Sequence, residues 1–255
     1  MKRILTAAAL IPIVVYIVLW ANFWAFFAVL VTVSFLCYRE FAGVVEAYGF
    51  GAPGPLGYGA GLLLLVWRQE TWLLFLGIGL ILLAVSMRGD DLTKSLPRAA
   101  LVLAGMVYIF GCWKCAMPLR ELNPHWLMYA LLVNWAGDMG AYYVGRRWGR
   151  HKMAPRVSPH KSWEGAVASV ASSVVIAGAY VLHFVPWIAV PQAVALTVAA
   201  NAAGQLGDLT ESAMKRGAGL KDSGAILPGH GGLLDRVDST LFSLPLIYAY
   251  LRLTG

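Results

Sequence analysis

The stretch "ILTAAALIPIVVYIVLWANFWAFFAVLVTVSFLCY", residues 4–38, decides the fold class of this chain. Its 35 residues carry no charge. A membrane-spanning helix needs roughly 20 mainly apolar residues, so this run is too long for a single crossing. Pro12 and a break at residues 20–22 therefore predict two helices joined by a tight turn.

The rest of the chain is similarly apolar. Hydrophobic residues make up 59% of the 255 residues and charged residues only 13%, against about 25% charged residues in soluble domains. Further apolar segments cover 56–67, 71–87, 99–113, 122–137 and 239–251, and Pro186 and Pro191 divide a second uncharged run, 165–207. The pattern predicts an all-α, polytopic integral membrane protein with about nine transmembrane helices. Residues 1–120 would form the N-terminal helices and 121–255 the C-terminal helices with the catalytic loops, in a single membrane domain.

Lysine and arginine are distributed unequally between the predicted loops. With the N-terminus in the cytoplasm, 16 of the 20 Lys and Arg residues fall on the cytoplasmic side. Because short cytoplasmic loops are rich in these residues, the N-terminus and the polar loops are predicted to face the cytoplasm. The expected location is a bacterial inner membrane. Nucleic acid is not an expected partner, since the basic residues lie in membrane-proximal loops rather than on a soluble domain.

Two other features favour structural interpretations. Lys2 and Arg3 precede an apolar run that has no small-residue cleavage pattern, so we expect a retained first helix. Cys112 and Cys115 have the spacing of a redox motif, but they lie at a predicted helix end. Buried or interfacial thiols are the preferred interpretation.

A second informative segment is polar. The stretch "DLTESAMKRGAGLKDSGAILPGHGGLLDRVDS", from Asp208 to Ser239, holds five acids, four Lys or Arg residues and six glycines. If the preceding helix continues into it, one helix face carries Asp208, Glu211, Ser212 and Lys215. That face is either a solvated helix end or the wall of a cavity or ion site.

The groups that follow favour the cavity or ion site. Basic residues at 215, 216 and 221 can clamp phosphate oxygens. The glycines of "PGHGG", residues 228–232, permit positive φ angles, close backbone approach and an anion-binding turn. Asp235 and Asp238, three residues apart at the start of the last helix, suit either helix capping or Mg²⁺ binding. The combination predicts phosphoryl or nucleotidyl transfer to a lipid.

The run from Ser212 to Asp238 also has a longer pattern. It reads S-x-x-K-R, four residues, K-D-x-G, three residues, then P-G-H-G-G-x-x-D-R-x-D. This resembles, without a departure, the signature of phosphatidate cytidylyltransferases, also called CDP-diacylglycerol synthases. The segments "GDMGAYYVGRRWGRHK" and "SPHKSWEG" are similar to other cytoplasmic segments of that family, so the resemblance covers roughly residues 130–240. It implies Mg²⁺-dependent transfer of CMP from CTP to phosphatidate, giving CDP-diacylglycerol and pyrophosphate in phospholipid biosynthesis.

Roles for individual residues follow from the resemblance together with this chemistry. The predicted catalytic residues are Asp208, Asp235, Lys221, Arg236 and His230. The predicted metal ligands are Asp208 and Asp235, with Asp238 and Asp222 completing the shell of a two-metal site whose second metal is unspecified. The predicted substrate-binding residues are Asp138, Lys161, Ser162, Ser212, Lys215, Arg216, Gly229, Gly231 and Gly232. His230 is expected to donate to phosphate or shape the loop rather than act as a base, and an ion pair with Arg146 or Arg147 is the alternative for Asp138.

The expected partners are CTP, phosphatidate and the surrounding membrane lipids, and a homodimer is compatible with this interpretation. Two other functions remain open. A CTP-dependent lipid kinase, of the dolichol or phytol kinase kind, shares parts of the pattern but transfers the γ-phosphoryl group. An ion or anion transporter is disfavoured because few charges interrupt the predicted spans.

The predicted orientation can be tested by labelling. A cysteine replacing Ala218, in a background without the native cysteines, should resist membrane-impermeant thiol reagents in intact cells, because residue 218 is predicted to face the cytoplasm. Ready labelling from outside would contradict the orientation. Labelling after permeabilisation is the control for accessibility.

Overall fold

The computed structural model describes residues 2–51, 54–68, 71–86, 91–227, 229 and 231–254. The helices are α1 (Lys2–Leu19), α2 (Phe23–Ala47), α3 (Pro55–Val66), α4 (Thr71–Ser86), α5 (Ser95–Gly105), α6 (Cys112–Lys114), α7 (Ala116–Leu122), α8 (Pro124–Trp148), α9 (Trp163–Ser173), α10 (Ala179–Phe184), α11 (Val190–Gly217) and α12 (Leu234–Thr254). A 3₁₀ turn, Leu92–Lys94, precedes α5. Two π-helical segments, Met106–Gly111 and Val174–Gly178, join α5 to α6 and α9 to α10. Strands β1 (Lys152–Ala154) and β2 (Ser158–Ser162) form one antiparallel hairpin.

The breaks predicted in the two long apolar runs are confirmed. The chain turns at residues 20–22, where the Asn22 Oδ1 accepts a hydrogen bond from Ala25 N (2.9 Å) and caps α2. The second run is interrupted between α10 and α11, and Pro191 lies in the first turn of α11, where its missing N–H costs nothing. Pro12 does not end a helix, since it lies inside α1.

One prediction about the polar half of the chain is wrong in detail. The helix expected at 122–137 continues to Trp148 as α8, so Asp138 lies within a helix and not at its end. The all-α class is confirmed, since the strands among the described residues are the two short ones of the hairpin that follows α8. In addition, α11 does continue through Asp208 to Gly217, as the shared polar face requires.

Several helices have the length and composition of membrane spans. In the described part of the chain three helical stretches are long and apolar enough to cross a bilayer, namely Phe23–Ala47, Leu92–Leu122 and Trp163–Phe184. Shorter apolar helical stretches are Ala9–Leu19, Pro55–Val66 and Leu74–Val85. The apolar helices fit a membrane protein, whereas the number of nine spans and the orientation stay predictions.

The apolar core lies where α2, α8 and α12 meet the π-helical segment after α5. Its largest fully buried side chains include Trp126 and Tyr129 of α8, Tyr38 of α2 and Phe110. At one end of this core, cationic side chains bind helix-terminal carbonyl groups. Arg120 Nε donates to Val18 O (2.8 Å) at the end of α1, and Lys114 Nζ donates to Leu64 O (2.8 Å) near the end of α3.

Glycines allow α11 and α12 to approach closely beside the polar segment. A Cβ added to Gly207 would lie 2.6 Å from the carbonyl oxygen of Asp238 and 3.0 Å from the ring of Phe242. A Cβ added to Gly204 would lie 2.3 Å from Asn134 Oδ1. The two glycines therefore fix how near α11 lies to α8 and α12.

We expect Gly207→Ala to lower the free energy of unfolding by about 1–3 kcal/mol, because the new methyl group overpacks this contact. Gly43→Ala is the matched control in α2, since nothing lies within 4 Å of its added Cβ. There alanine should be neutral or stabilising by up to roughly 1 kcal/mol. Unfolding in detergent measures both variants, and equal stabilities would contradict the close helix contact.

Candidate functional site

A cavity of about 630 Å³ opens between α8, α9, α11 and β2. Four of the predicted site residues line it, namely Asp138, Lys161, Ser162 and Asp208. It has the size of a small-molecule site, and charged groups lie beside amide and hydroxyl groups on its wall. The structure thus places residues from three separate sequence segments around one space.

The inner wall of the cavity is a network of amide and hydroxyl groups. Asn201 Nδ2 donates to Ser169 Oγ (3.0 Å) and to Ser173 Oγ (2.9 Å). Gln205 Nε2 donates to Asn201 Oδ1 (2.7 Å). Asn134 Nδ2 reaches across to Ser243 Oγ (2.8 Å) on α12. These bonds hold α9 against α11 and α8 against α12, because unpaired polar groups at such buried positions would be costly.

Lys161 and Asp208 form an ion pair at the cavity, with Nζ 2.5 Å from Oδ2. Lys161 comes from β2, and Asp208 from the last third of α11. Ser212, one turn further along α11, donates to Asp208 Oδ1 (3.3 Å). Ser162, next to Lys161, is buried and caps α9 by accepting from Gly165 N (3.2 Å). The hairpin therefore brings a cation onto the carboxylate that the sequence singled out.

Three carboxylates gather on this side of the site. The negative charge of Asp208 acts on both Asp138 and Asp238, and the charges of Lys161 and Arg236 act on Asp138 in the opposite sense. Asp238 is buried and its Oδ1 accepts from Ser239 N (2.7 Å). Among the residues described, Asp138 forms no ion pair with Arg146 or Arg147, the alternative considered for it. The neighbouring like charges make it costly to keep all three carboxyl groups ionised.

A second cluster lies behind the first. The ammonium group of Lys215 lies between the carboxylates of Glu211 and Asp235, and the exposed fractions of the three side chains are 9%, 1% and 5%. Asp235 also accepts from Gly232 N (2.7 Å) and Ser223 N (3.0 Å). This cluster joins the end of α11, the glycine-rich loop of residues 218–233 and the start of α12.

These contacts stabilise the ionised form of Asp235. Burial by itself raises the pKa of this carboxyl group, but the hydrogen bonds from Lys215 and Gly232 outweigh burial and hold the pKa below its ordinary value. Asp235 precedes the apolar part of α12, so the group lies at the polar end of the molecule. It is ionised at neutral pH, and its oxygens already have donors.

The four predicted metal ligands are accordingly divided. Asp208 and Asp238 lie with Asp138, whereas Asp235 and Asp222 lie together beside Gly231. Within the described ranges, no group of three or more His, Cys, Asp or Glu side chains is arranged to hold a metal ion. Carboxylate oxygens are nonetheless the ligands that Mg²⁺ prefers. The donor chemistry fits magnesium.

The glycine-rich loop has the backbone that its composition predicts. Gly229 and Gly231 have φ angles of 78° and 81°, in the region that glycine adopts without strain. His230 lies outside the described residues. Arg216, Lys221 and Arg236 are exposed, and Arg216 Nη1 donates to Leu220 O (2.9 Å).

Sequence reasoning missed Glu40 of α2, a buried carboxylate in the N-terminal half. Its Oε1 accepts from Leu233 N (3.0 Å), and its Oε2 accepts from Leu234 N (2.7 Å) and Ser223 Oγ (3.2 Å). The signal in the sequence was an acid only two residues beyond the 35-residue uncharged run. A charge at that position is costly unless it has partners.

Comparison with known proteins identifies the family. A model of the cytidylyltransferase family matches residues 1–254. The chain belongs to this family. Within it, the chain is similar to phosphatidate cytidylyltransferase of Bacillus subtilis (strain 168), with 39% identity over 166 residues, 63% of this chain and 61% of that protein. The proteins of the same name from Staphylococcus aureus (strain COL) and Staphylococcus haemolyticus (strain JCSC1435) are 40% and 41% identical over 158 residues each. These matches cover 59% and 58% of the two relatives, so less than two thirds of each relative is matched.

The buried cluster of Glu211, Lys215 and Asp235 leads to a prediction about stability. Lys215→Met should lower the free energy of unfolding by about 3–5 kcal/mol, because two buried carboxylates would then face each other without a cation. Lys221→Met, at an exposed position six residues away, is the control and should change stability little. Denaturant unfolding in detergent measures both. Equal stability of the two variants would show that the cluster contributes nothing.

Proposed function

We propose that the protein transfers CMP from CTP to phosphatidate and releases pyrophosphate, forming CDP-diacylglycerol. The observation that carries this proposal is the similarity to relatives named phosphatidate cytidylyltransferase, at 39–41% identity. The unbroken signature from Ser212 to Asp238 supports it, as does a cavity that combines carboxylates with a lysine.

The chemistry suits these residues. A phosphate oxygen of phosphatidate attacks the α-phosphorus of CTP, and the bond between that phosphorus and the bridging oxygen to the β-phosphate breaks. The electron pair leaves with pyrophosphate. A phosphomonoester has its second pKa at about 6, so the attacking group is already largely a dianion and needs no strong base. The protein must chiefly orient two anions and neutralise the leaving one.

Lys161 is the proposed principal contact to the triphosphate. Its ammonium group lies on the cavity wall and is paired with Asp208. Arg216, Lys221 and Arg236, which are exposed, supply further positive charge for pyrophosphate. Lys215 is already enclosed by Glu211 and Asp235, so we assign it a supporting role.

Asp208, with Asp138 and Asp238 beside it, would hold Mg²⁺, and Asp235 and Asp222 remain candidate ligands on the other side of Gly231. When bound, the metal would reduce the repulsion between the two phosphate groups. A two-metal site, the second ion being unspecified, is retained in this proposal. The role of His230 remains that of a phosphate donor or loop-shaping residue.

We also propose that the site faces the cytoplasm of a bacterial cell from the inner membrane. The Lys and Arg distribution supports this orientation. The bacterial origin of the relatives supports a bacterial membrane as the location. Phosphatidate would enter from the bilayer with its acyl chains against the exposed apolar helix faces. A homodimer is compatible with this arrangement.

The reaction is tested with labelled CTP. Purified protein in detergent, given phosphatidate and Mg²⁺, should transfer label from the α-position of CTP to the lipid. Transfer of γ-label alone would instead identify a lipid kinase. Transfer of neither label would contradict both enzyme hypotheses and leave the transporter to be tested.

Substitution of the carboxylates tests the metal site. Asp208→Asn and Asp235→Asn should each lower turnover by roughly 10²–10³-fold, because the neutral amide is a poorer ligand for a hard cation. Asp235→Asn should also lower stability, since Lys215 and two backbone N–H groups lose an ionised partner. The rate effects should not add in the double variant.

Asp91→Asn is the matched control, at a half-exposed carboxylate that caps the 3₁₀ turn. It should leave turnover nearly unchanged. Wild-type turnover and Mg²⁺ dependence in Asp208→Asn would remove Asp208 from the proposed metal site.

A further inference from the structure

Glu40 is a buried carboxylate of α2 that holds a segment nearly two hundred residues away. Only 5% of the residue is exposed. Its two oxygens accept from Leu233 N, Leu234 N and the Ser223 hydroxyl, at 3.0, 2.7 and 3.2 Å. All three donors belong to the glycine-rich loop or to the first turn of α12. A buried carboxylate is tolerated when it has several such donors.

The loop is shaped to admit this carboxylate. A Cβ added to Gly232 would lie 2.5 Å from Glu40 Oε2, and one added to Gly224 would lie 2.6 Å from Oε1. Any larger residue at either position would displace the carboxylate. The two glycines thus belong to the Glu40 contact as much as to the turn itself.

Ser223 links Glu40 to the buried cluster at Asp235. Its hydroxyl group donates to Glu40, while its backbone N–H donates to Asp235 (3.0 Å). Gly232 N also donates to Asp235 (2.7 Å). The loop between α11 and α12 is therefore held at both ends of its turn by two carboxylates, one inside the signature and one from the N-terminal half.

A second contact joins the end of α2 to the end of α11. Just past the end of α2, the Tyr48 hydroxyl donates to Met214 O (2.9 Å), and a Cβ added to Gly217 would lie 2.0 Å from this hydroxyl. Met214 and Gly217 belong to the last turn of α11. The polar end of α2 therefore braces both the loop and the helix that precedes it.

We propose that Glu40 is a positioning residue for the transfer reaction, acting by holding in place the loop that carries Lys221 and Asp222 and the first turn of α12, which carries Arg236. This inference rests on the proposed function. These three residues are those proposed to act on the leaving pyrophosphate and its metal. Movement of the loop would therefore weaken interactions made in the transition state and lower kcat more than it raises KM for phosphatidate.

The charge and the volume of Glu40 can be separated by two substitutions. Glu40→Gln keeps the volume but turns an NH₂ group toward N–H donors, so at least one donor loses its acceptor. Glu40→Asp keeps both carboxylate oxygens and leaves a small void. A packing role predicts that Gln is tolerated better than Asp, whereas a positioning role predicts the reverse.

The experiment measures CTP- and phosphatidate-dependent turnover of full-length protein in detergent, with melting curves for each variant. Glu40→Gln should lower kcat by about 10–100-fold, the range seen when a residue that orients a metal site is changed. KM for phosphatidate should change little, and Glu40→Asp should recover part of the rate. Glu46→Gln, at an exposed glutamate of the same helix, is the matched control and should turn over like wild type.

Limited trypsin digestion gives a reading of the loop that does not depend on activity. Cleavage after Lys221 should be faster in Glu40→Gln than in wild type, while cleavage after Arg156 in the hairpin should be unchanged. Equal cleavage after Lys221, a kcat equal to that of Glu46→Gln, or a Gln variant better than the Asp variant would each overturn the positioning role.

If Glu40→Gln does not yield folded protein, Ser223→Ala decides the matter. It removes one hydroxyl contact to Glu40 and should lower kcat by about fivefold, and an unchanged kcat overturns the inference. An inactive wild-type protein would overturn the proposed function and this inference with it. An active wild type with an equally active Glu40→Gln would overturn only the role of Glu40.

Discussion

One buried ammonium group, on Lys215, holds together the polar end of the molecule. It lies between the carboxylates of Glu211 and Asp235, and without it those two groups would repel each other in a place that water scarcely reaches. Burying these groups is costly. Asp235 offsets the cost with Lys215 and two backbone N–H donors, whereas Glu211 has Lys215 as its ion-pair partner. Asp235, once paired, can also bind the backbone of the glycine-rich loop. The end of α11, the loop and the start of α12 thereby form one unit, on which the positions of Asp238 and Arg236 depend.

The polar groups that line the cavity are uncharged in part, and they too are buried with hydrogen-bond partners. Asn134, Asn201 and Gln205 project from otherwise apolar helices, and each amide nitrogen has an acceptor on a neighbouring helix or its own turn. Such bonds let a polar space extend inward between helices whose outer faces carry exposed leucines, valines and tryptophans. In the proposed reaction, the phosphate headgroup and the nucleotide would meet in that space while the acyl chains stay in lipid. This division between a polar interior pocket and an apolar exterior is what a reaction between a soluble nucleotide and a lipid requires.

Much of the helical architecture is predictable from the sequence, because the pattern is local. The uncharged runs and the break at Asn22 show where several helices begin and end. The same reasoning fails at α8, because the uncharged segment predicts a helix end at residue 137, next to Asp138, whereas the helix continues to Trp148. It also misses the hairpin, whose three- and five-residue strands have no clear alternating pattern.

For the site, the signature revealed the types of chemical group but not their pairing. Asp208 and Asp235 were expected together, yet Asp208 contacts Lys161 and Asp235 contacts Lys215. Those contacts, like the one from Glu40, join residues that are far apart in the chain, and a single sequence carries no record of which distant residues meet.

The contacts of Glu40 also bear on how the protein is made. This carboxyl group leaves the ribosome 194 residues before the Leu234 N–H that it binds. Helix α2 is therefore synthesised before any of the three donors to this carboxyl group exists, although a buried carboxylate depends on such donors. The contacts of Glu40 can form only after the start of α12 has been synthesised. The packing of an N-terminal helix is thus completed by the C-terminal end of the chain.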